Sequence, residues 1–222
     1  MPDKKFNEKD KSLMKFLGIP NLFINQKINN LIKIKLHGFD FFFEKAQLDK
    51  AIQEDLSSIL EATRKLPAAL GDFHGYYDGG LYDHTLLVVN YTYYLANSLR
   101  NTSLLKRLIL TAICHDFGKI PYYIYKLKLN NIPFQIEFQE MKTIRSELHI
   151  KYGVTGEDGH VENAIAVIRK YLRNHQSFFD DEMYLAIVFH HGGWSKYRPI
   201  HINGFTTIIH NADMFSSHVL KI

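Results

Sequence analysis

Apolar residues recur at helical spacing through most of the chain. From about Lys45 to Lys65, the positions Leu48, Ile52, Leu56, Ile59, Leu60 and Ala62 share one face, which predicts a long amphipathic helix closed by Pro67. A second helix begins near Leu81, after the glycine-rich stretch 70–80, and is continued by Leu86, Val89, Tyr93 and Leu95. After a turn at 97–102, the run Leu108-Ile109-Leu110-Thr111-Ala112-Ile113 predicts a third helix from about Ser103 to His115. Helical texture returns at 160–172, 181–191 and 206–220, and a short helix ending at Gly18-Ile19-Pro20 is expected near Leu13–Leu17.

Two segments read differently. Ile32-Lys33-Ile34-Lys35-Leu36 alternates apolar and polar residues, His37-Gly38 interrupts, and Phe41-Phe42-Phe43 follows. Within 121–140, Tyr123, Tyr125, Leu127 and Leu129 alternate with Ile124, Lys126 and Lys128, and Asn130-Asn131 fits a turn. Either segment admits a small β-hairpin, and the second admits an irregular helix equally well. The expected class is mainly α, a helical bundle of four or five core helices with a marginal strand component. No Gly/Ser-rich linker or internal repeat divides the 222 residues, so 1–44 are taken as an N-terminal extension and 45–222 as the main domain.

Composition narrows the function classes. With 46% hydrophobic residues, 16 Phe and 13 Tyr, the chain has ample material for a core. A formal charge of +4 suits a polyanionic substrate but is too small to announce a nucleic-acid binder. The single cysteine, Cys114, excludes an intramolecular disulfide and suits a reducing compartment, so a cytoplasmic location is expected. The charged N-terminus is followed by no apolar leader-like segment, and no apolar run approaches the roughly 20 residues of a membrane span.

The chemistry is concentrated in His and Asp residues at helix ends beside glycine. His115 and Asp116 follow an apolar run and precede Gly118; His84 follows Gly79-Gly80-Leu81-Tyr82-Asp83; His160 follows Gly159; and His190-His191 precede Gly192-Gly193. Asp213 lies within an otherwise apolar helix. Imidazole nitrogen and carboxylate oxygen are ligands for divalent transition metals without any thiolate. Buried without a partner, such groups are costly. Cys114 reads as a buried helix residue rather than a nucleophile, because no independent base remains for it. His37, His74, His149, His175, His201 and His218 read as ordinary histidines, while His210 fits either a supporting partner of the site or the core.

The ordered set His84, His115-Asp116, Asp213 resembles the HD superfamily of metal-dependent phosphohydrolases, over roughly Leu70 to Ser217. Gly79-Gly80-Leu81-Tyr82-Asp83-His84-Thr85 is similar to the Gly-Gly-Leu-x-x-His-Thr entry motif of the exoribonuclease branch and of relaxase-associated HD domains. His115-Asp116-Phe117-Gly118-Lys119 resembles the family's His-Asp-x-Gly-Lys, and His190-His191-Gly192 its second histidine pair. The resemblance implies a helical HD-type catalytic domain with His84, His115, Asp116 and Asp213 on one metal. Asp116 would bridge to a second metal held by His160, His190 and His191, with the better of the last two left open. It implies two divalent ions, with Mn, Fe, Mg, Ni and Zn not distinguished. Such a pair lowers the pKa of a shared water toward about 7 and stabilises both oxygens of a phosphoryl displacement. Lys119 is expected to place its ammonium on a nonbridging phosphate oxygen; its alternative is a cation at a helix C-terminus.

The loop Gly192-Gly193-Trp194-Ser195-Lys196-Tyr197-Arg198-Pro199 carries the sole tryptophan and two cations. Trp194, Lys196 and Arg198 are therefore candidates for stacking a base and holding a phosphate, with plain surface packing as the competing reading. Tyr76 and Tyr77 are candidates for the same mouth. The expected function is a phosphodiesterase or nuclease acting on a nucleotide or oligonucleotide by attack of a metal-activated water. A nucleotide phosphomonoesterase and a non-catalytic metal-binding regulatory module are the alternatives. Residues 1–44 are too short for the oligonucleotide-binding barrel of the exoribonuclease branch, and no tyrosine transesterase module accompanies the relaxase-like motif.

Overall fold

The computed structural model describes residues 35–71, 73–100, 104–129 and 132–222. The helix expected near Leu13–Leu17 lies outside them. The described residues form nine α-helices and no β-strand; a single isolated bridge pairs Thr155 with Arg198. Helix α1 spans Phe39–Lys45, α2 Lys50–Thr63, α3 Gly80–Ser98, α4 Leu105–Cys114 and α5 Lys119–Leu127. Helix α6 spans Phe138–Tyr152, α7 Gly159–Tyr171, α8 Asp181–Phe189 and α9 Gly204–Met214, which a π-helical turn extends over Phe215–Leu220.

Neither hairpin forms among the described residues. Phe41-Phe42-Phe43, the expected second arm of the first, is part of α1, whose Phe39, Phe42 and Phe43 are buried at i, i+3 and i+4; the other arm, up to residue 34, lies outside the described residues. In the second segment α5 occupies the expected first arm. A strand would have buried Tyr125 and Leu127 beside Tyr123, but Tyr125 is 88% exposed, whereas Ile120, Tyr123 and Ile124 are buried at helical spacing. The helix expected from Lys45 starts at Lys50, because the Asp49 carboxylate accepts the Ile52 N–H and caps it there.

Helix α3 is the hub. It packs against α4, α9 and α2; α8 packs on α9, α4 and α7; and α7 also holds α5 and α6. Ile52, Leu56, Leu81, Val88, Leu108, Ile109, Ile113, Ile187 and Ile209 form part of one continuous core between these faces. A smaller cluster around Leu148, Val154, Ile165, Phe189 and Tyr197 secures α6 and the loop after α8. Through this packing the ends of α4 and α8, the starts of α5 and α7, and the bodies of α3 and α9 meet at one place. No helix among the described residues is long and apolar enough to cross a membrane.

Candidate metal centre

Helices α4 and α8 end in the same way. His115 follows α4 and His190 follows α8, and each ring turns back so that its Nδ1–H donates to the carbonyl three residues earlier, Ala112 at 2.8 Å and Ile187 at 2.6 Å. The last carbonyls of a helix have no partner within it, so the imidazole satisfies one of them. Its Nε2 lone pair is then left to point beyond the helix end. His84, on α3, is oriented by tertiary contacts instead: its Nδ1 lies 2.9 Å from the Ile222 carbonyl and 3.1 Å from the Ser216 hydroxyl. His160, in the first turn of α7, places Nδ1 2.6 Å from the Asp158 carboxylate.

Asp116 lies between these rings with its side chain buried. Its Oδ2 is 3.5 Å from His84 Nε2 and 3.4 Å from His115 Nε2, while its Oδ1 is 3.7 Å from His190 Nε2 and 4.0 Å from His160 Nε2. Asp213, from α9, sets Oδ1 3.1 Å from His84 Nε2 and Oδ2 3.5 Å from His191 Nδ1. Two compact donor groups result, His84/His115/Asp213 and His160/His190/His191, each with ligand atoms within 4.8 Å of one another. One oxygen of Asp116 faces each group.

These groups fit divalent cations on three observations. Asp116 Oδ1, Asp213 Oδ2 and His190 Nε2 are buried without a hydrogen-bond partner, although each such atom is costly to leave unpaired. Nitrogens face each other at 3.4 Å for His84 and His115 and at 3.1 Å for His160 and His191, an arrangement that a shared cation relieves. The donors are all nitrogen and oxygen. His84 and His115 are sealed from solvent, but His160 is 14% and His191 27% exposed, so water reaches the centre from the side of the second group.

Electrostatics follow the geometry. Burial alone would raise the Asp116 carboxyl; the Lys119 ammonium and the His115 ring outweigh it and hold the group well below the usual range. Asp213 is likewise held low against its burial by His191 and His84. Burial pushes His190 well below an ordinary histidine, with His191 adding to the effect. Lys119 is the first residue of α5 rather than a cation at a helix C-terminus, and its Nζ lies 2.6 Å from Asp116 Oδ2. Burial would discharge this lysine, but Asp116 keeps it charged and raises its pKa.

The close approach of α5 and α7 rests on Gly118. A Cβ there would lie 1.7 Å from the His160 carbonyl oxygen and 2.4 Å from the Ala164 nitrogen, so only glycine lets His160 come within reach of Asp116. A buried network supports the second group. The Glu162 carboxylate accepts from the Asp158 backbone N–H at 3.1 Å, from Tyr197 Oη at 2.8 Å and from Arg145 Nε at 2.8 Å, and so fixes the carboxylate that holds His160. Opposed by burial, this pairing with His160 still lowers Asp158 to about 2. His210 Nδ1 bonds the His190 carbonyl at 2.7 Å and supports the backbone of the histidine pair.

The residues proposed for substrate are placed unequally. Trp194 is 70% exposed and stacks on His218 with ring centres 5.7 Å apart. Lys196 reaches to 3.7 Å from Asp158, at the open side. Arg198 instead turns back on its own loop, where its guanidinium donates to the carbonyls of Gly193, Ser195 and Tyr197, so it is committed to backbone rather than presented to a ligand. Tyr77 is buried and donates to Asp83 at 3.1 Å. Cys114 is fully buried and burial raises its thiol pKa, which suits a packing residue.

His74, expected from the sequence to be an ordinary histidine, has its ring centre 5.1 Å from that of His84. Burial, with the neighbouring His84 and Lys119 adding to it, pushes its pKa down to about 3. Its position in the glycine-rich stretch before His84 was the available signal. Asp158, two residues before His160, offered a similar local hint; nothing local links Ser216 or Ile222 to His84.

Residues 81–216 match the HD domain family. No curated protein and no solved structure matches the chain.

Proposed function

This chain belongs to the HD-domain family, and on that premise we propose that it is a metal-dependent phosphodiesterase or nuclease acting on a nucleotide or oligonucleotide. The observation that carries the proposal is the placement of Asp116, with one carboxylate oxygen toward each of two complete donor groups. His84, His115, Asp213 and Asp116 would hold one divalent ion, and His160, His190, His191 and Asp116 the other. Bound there, two cations supply an acidified water and charge stabilisation for in-line displacement at phosphorus.

The protein's own groups do the remaining work. Nδ1 hydrogen bonds on His84, His115, His160 and His190 fix the tautomer that presents Nε2 as a ligand. Lys119, charged and buried beside Asp116, is positioned to bind a nonbridging phosphoryl oxygen and offset charge gathering on it. Substrate would enter at the His160–His191 side. There Trp194 can stack a base and Lys196 can meet a flanking phosphate, which favours a diester over a monoester. The single buried cysteine supports a cytoplasmic setting.

The test is metal analysis followed by hydrolysis of bis-p-nitrophenyl phosphate with Mn, run beside a panel of monoesters. We expect two ions per chain and faster diester turnover, with Asp116→Ala losing both metal and activity. Bound metal without turnover of any phosphoester would overturn the enzymatic reading, and faster monoester turnover would make the protein a nucleotidase.

A further inference from the structure

We propose that His74 is a phosphate-contacting residue, whose Nε2–H donates a hydrogen bond to a nonbridging oxygen of the phosphoryl group bound beside Lys119. The inference rests on the phosphohydrolase reading and adds to it a residue outside both donor groups. Its first support is an orphan: the His74 Nε2 is buried and has no hydrogen-bond partner. The ring lies 5.1 Å from His84, tilted by 40°, and within the electrostatic reach of Lys119, Asp116 and Asp213, so it borders the centre. Yet its nitrogens belong to neither compact donor group, which sets it apart from the metal ligands.

The loop holding His74 is fastened at both ends. The Ala68 N–H donates to the Gly75 carbonyl at 2.9 Å, and the Leu81 N–H to the Leu66 carbonyl at 3.0 Å. Tyr123, on the same helix as Lys119, donates its hydroxyl to the Ala68 carbonyl at 3.2 Å. Gly75 adopts φ +58°, and a Cβ there would lie 2.5 Å from that of Ala68 and 3.3 Å from the backbone of Ile222, the residue whose carbonyl orients His84. The backbone that carries the imidazole is therefore held beside the centre, with Nε2 buried there. A group held this way is completed by something that enters the centre.

Charge chemistry identifies that group. Asp116 and Asp213 are acceptors and repel an anion, and four of the ligand imidazoles, His84, His115, His160 and His190, spend Nδ1–H on the protein. A phosphoryl group needs donors for its nonbridging oxygens. Lys119 supplies one, and a neutral imidazole with a buried, unpaired Nε2 supplies another in the same chamber.

The experiment is calorimetric titration of inorganic phosphate into the Mn-loaded full chain, comparing wild type with His74→Ala and His74→Gln. Metal content and melting temperature are measured on each. Loss of one hydrogen bond to a charged acceptor should weaken phosphate binding in His74→Ala by roughly tenfold or more. Metal content should stay at the wild-type value, and KM for bis-p-nitrophenyl phosphate should rise. The side-chain amide of His74→Gln can donate in place of the ring, so this variant should recover most of the affinity and remains informative if His74→Ala folds poorly. Equal phosphate affinity in wild type and His74→Ala would overturn the inference, as would metal loss from both variants, which would make His74 a ligand. Absence of phosphate binding to wild type would also overturn it. The phosphohydrolase reading is judged separately, on whether wild type turns over any phosphoester.

Discussion

At Asp116 one carboxylate faces four imidazoles and an ammonium drawn from five parts of the chain, and both of its oxygens are needed to serve them. The chemical types were legible beforehand from the ordered set of His and Asp residues, whereas the His115-Asp116 pair alone fits a hydrogen-bonded cap as well. The division of labour between the two oxygens was not, since it depends on side-chain direction. The same holds for His160, whose orientation comes from Asp158. Asp158→Asn removes the charge that makes His160 a better ligand while leaving the His84 group alone. It should cost roughly 10- to 100-fold in metal affinity at the second group only. Mn titration would then show one tight site in place of two, and an unchanged isotherm would exclude an orienting role for Asp158. His74 marks the opposite case. Its place in the glycine-rich stretch before His84 is a weak local signal, and its buried, unpaired Nε2 is what sets it apart from the other histidines.

Among the elements, helices with a broad apolar stripe were readable and those without one were not. Helix α6 buries only Ile144 and Leu148, too narrow a stripe to stand out. In α5 a run of alternating residues imitated a strand until the exposure of Tyr125 settled the period. The joint between α5 and α7 carries a sharp expectation. Gly118→Ala would drive a methyl group into the backbone of α7, which cannot yield as a side chain can. It should cost about 3 kcal/mol or more in urea unfolding, at or beyond the upper end for overpacking, and displace His160 from Asp116. Helix α8 depends on its cap. Asp180 accepts the Met183 N–H at 3.1 Å and receives Arg107 from α4 at 2.8 Å. Burial raises the Asp180 carboxyl, but these partners outweigh it and the net pKa is lowered. A carboxyl depressed on folding contributes stability above its unfolded pKa of about 4, and that contribution is lost as pH falls through the folded value. Asp180→Ala should therefore cost about 1 kcal/mol at pH 7. The gap from wild type should narrow progressively in unfolding curves measured at pH values falling below about 4.

For the molecule as a whole, the centre stores cost that a cation relieves: buried unpaired oxygens, facing imidazole nitrogens and a sealed first group. Metal that binds only the folded chain stabilises it by about 2.7 kcal/mol at a hundredfold excess over the dissociation constant. For a chain of this size that corresponds to roughly 5–10 °C in melting temperature. Thermal melts with Mn and after chelation should differ by about this amount, and identical melts would indicate that the two donor groups hold no ion. The sequence by itself determined the mainly α class, the positions of the long amphipathic helices and the ordered set of His and Asp residues, because helical periodicity and ligand chemistry are local properties. The tertiary structure alone decided that Asp116 stands between two groups and that Arg198 is spent on its own loop. It alone placed His74 against the centre and bonded His84 to a carbonyl 138 residues away. Those facts depend on packing between helices distant in the chain, and neither spacing nor composition encodes which way a side chain turns once the helices meet.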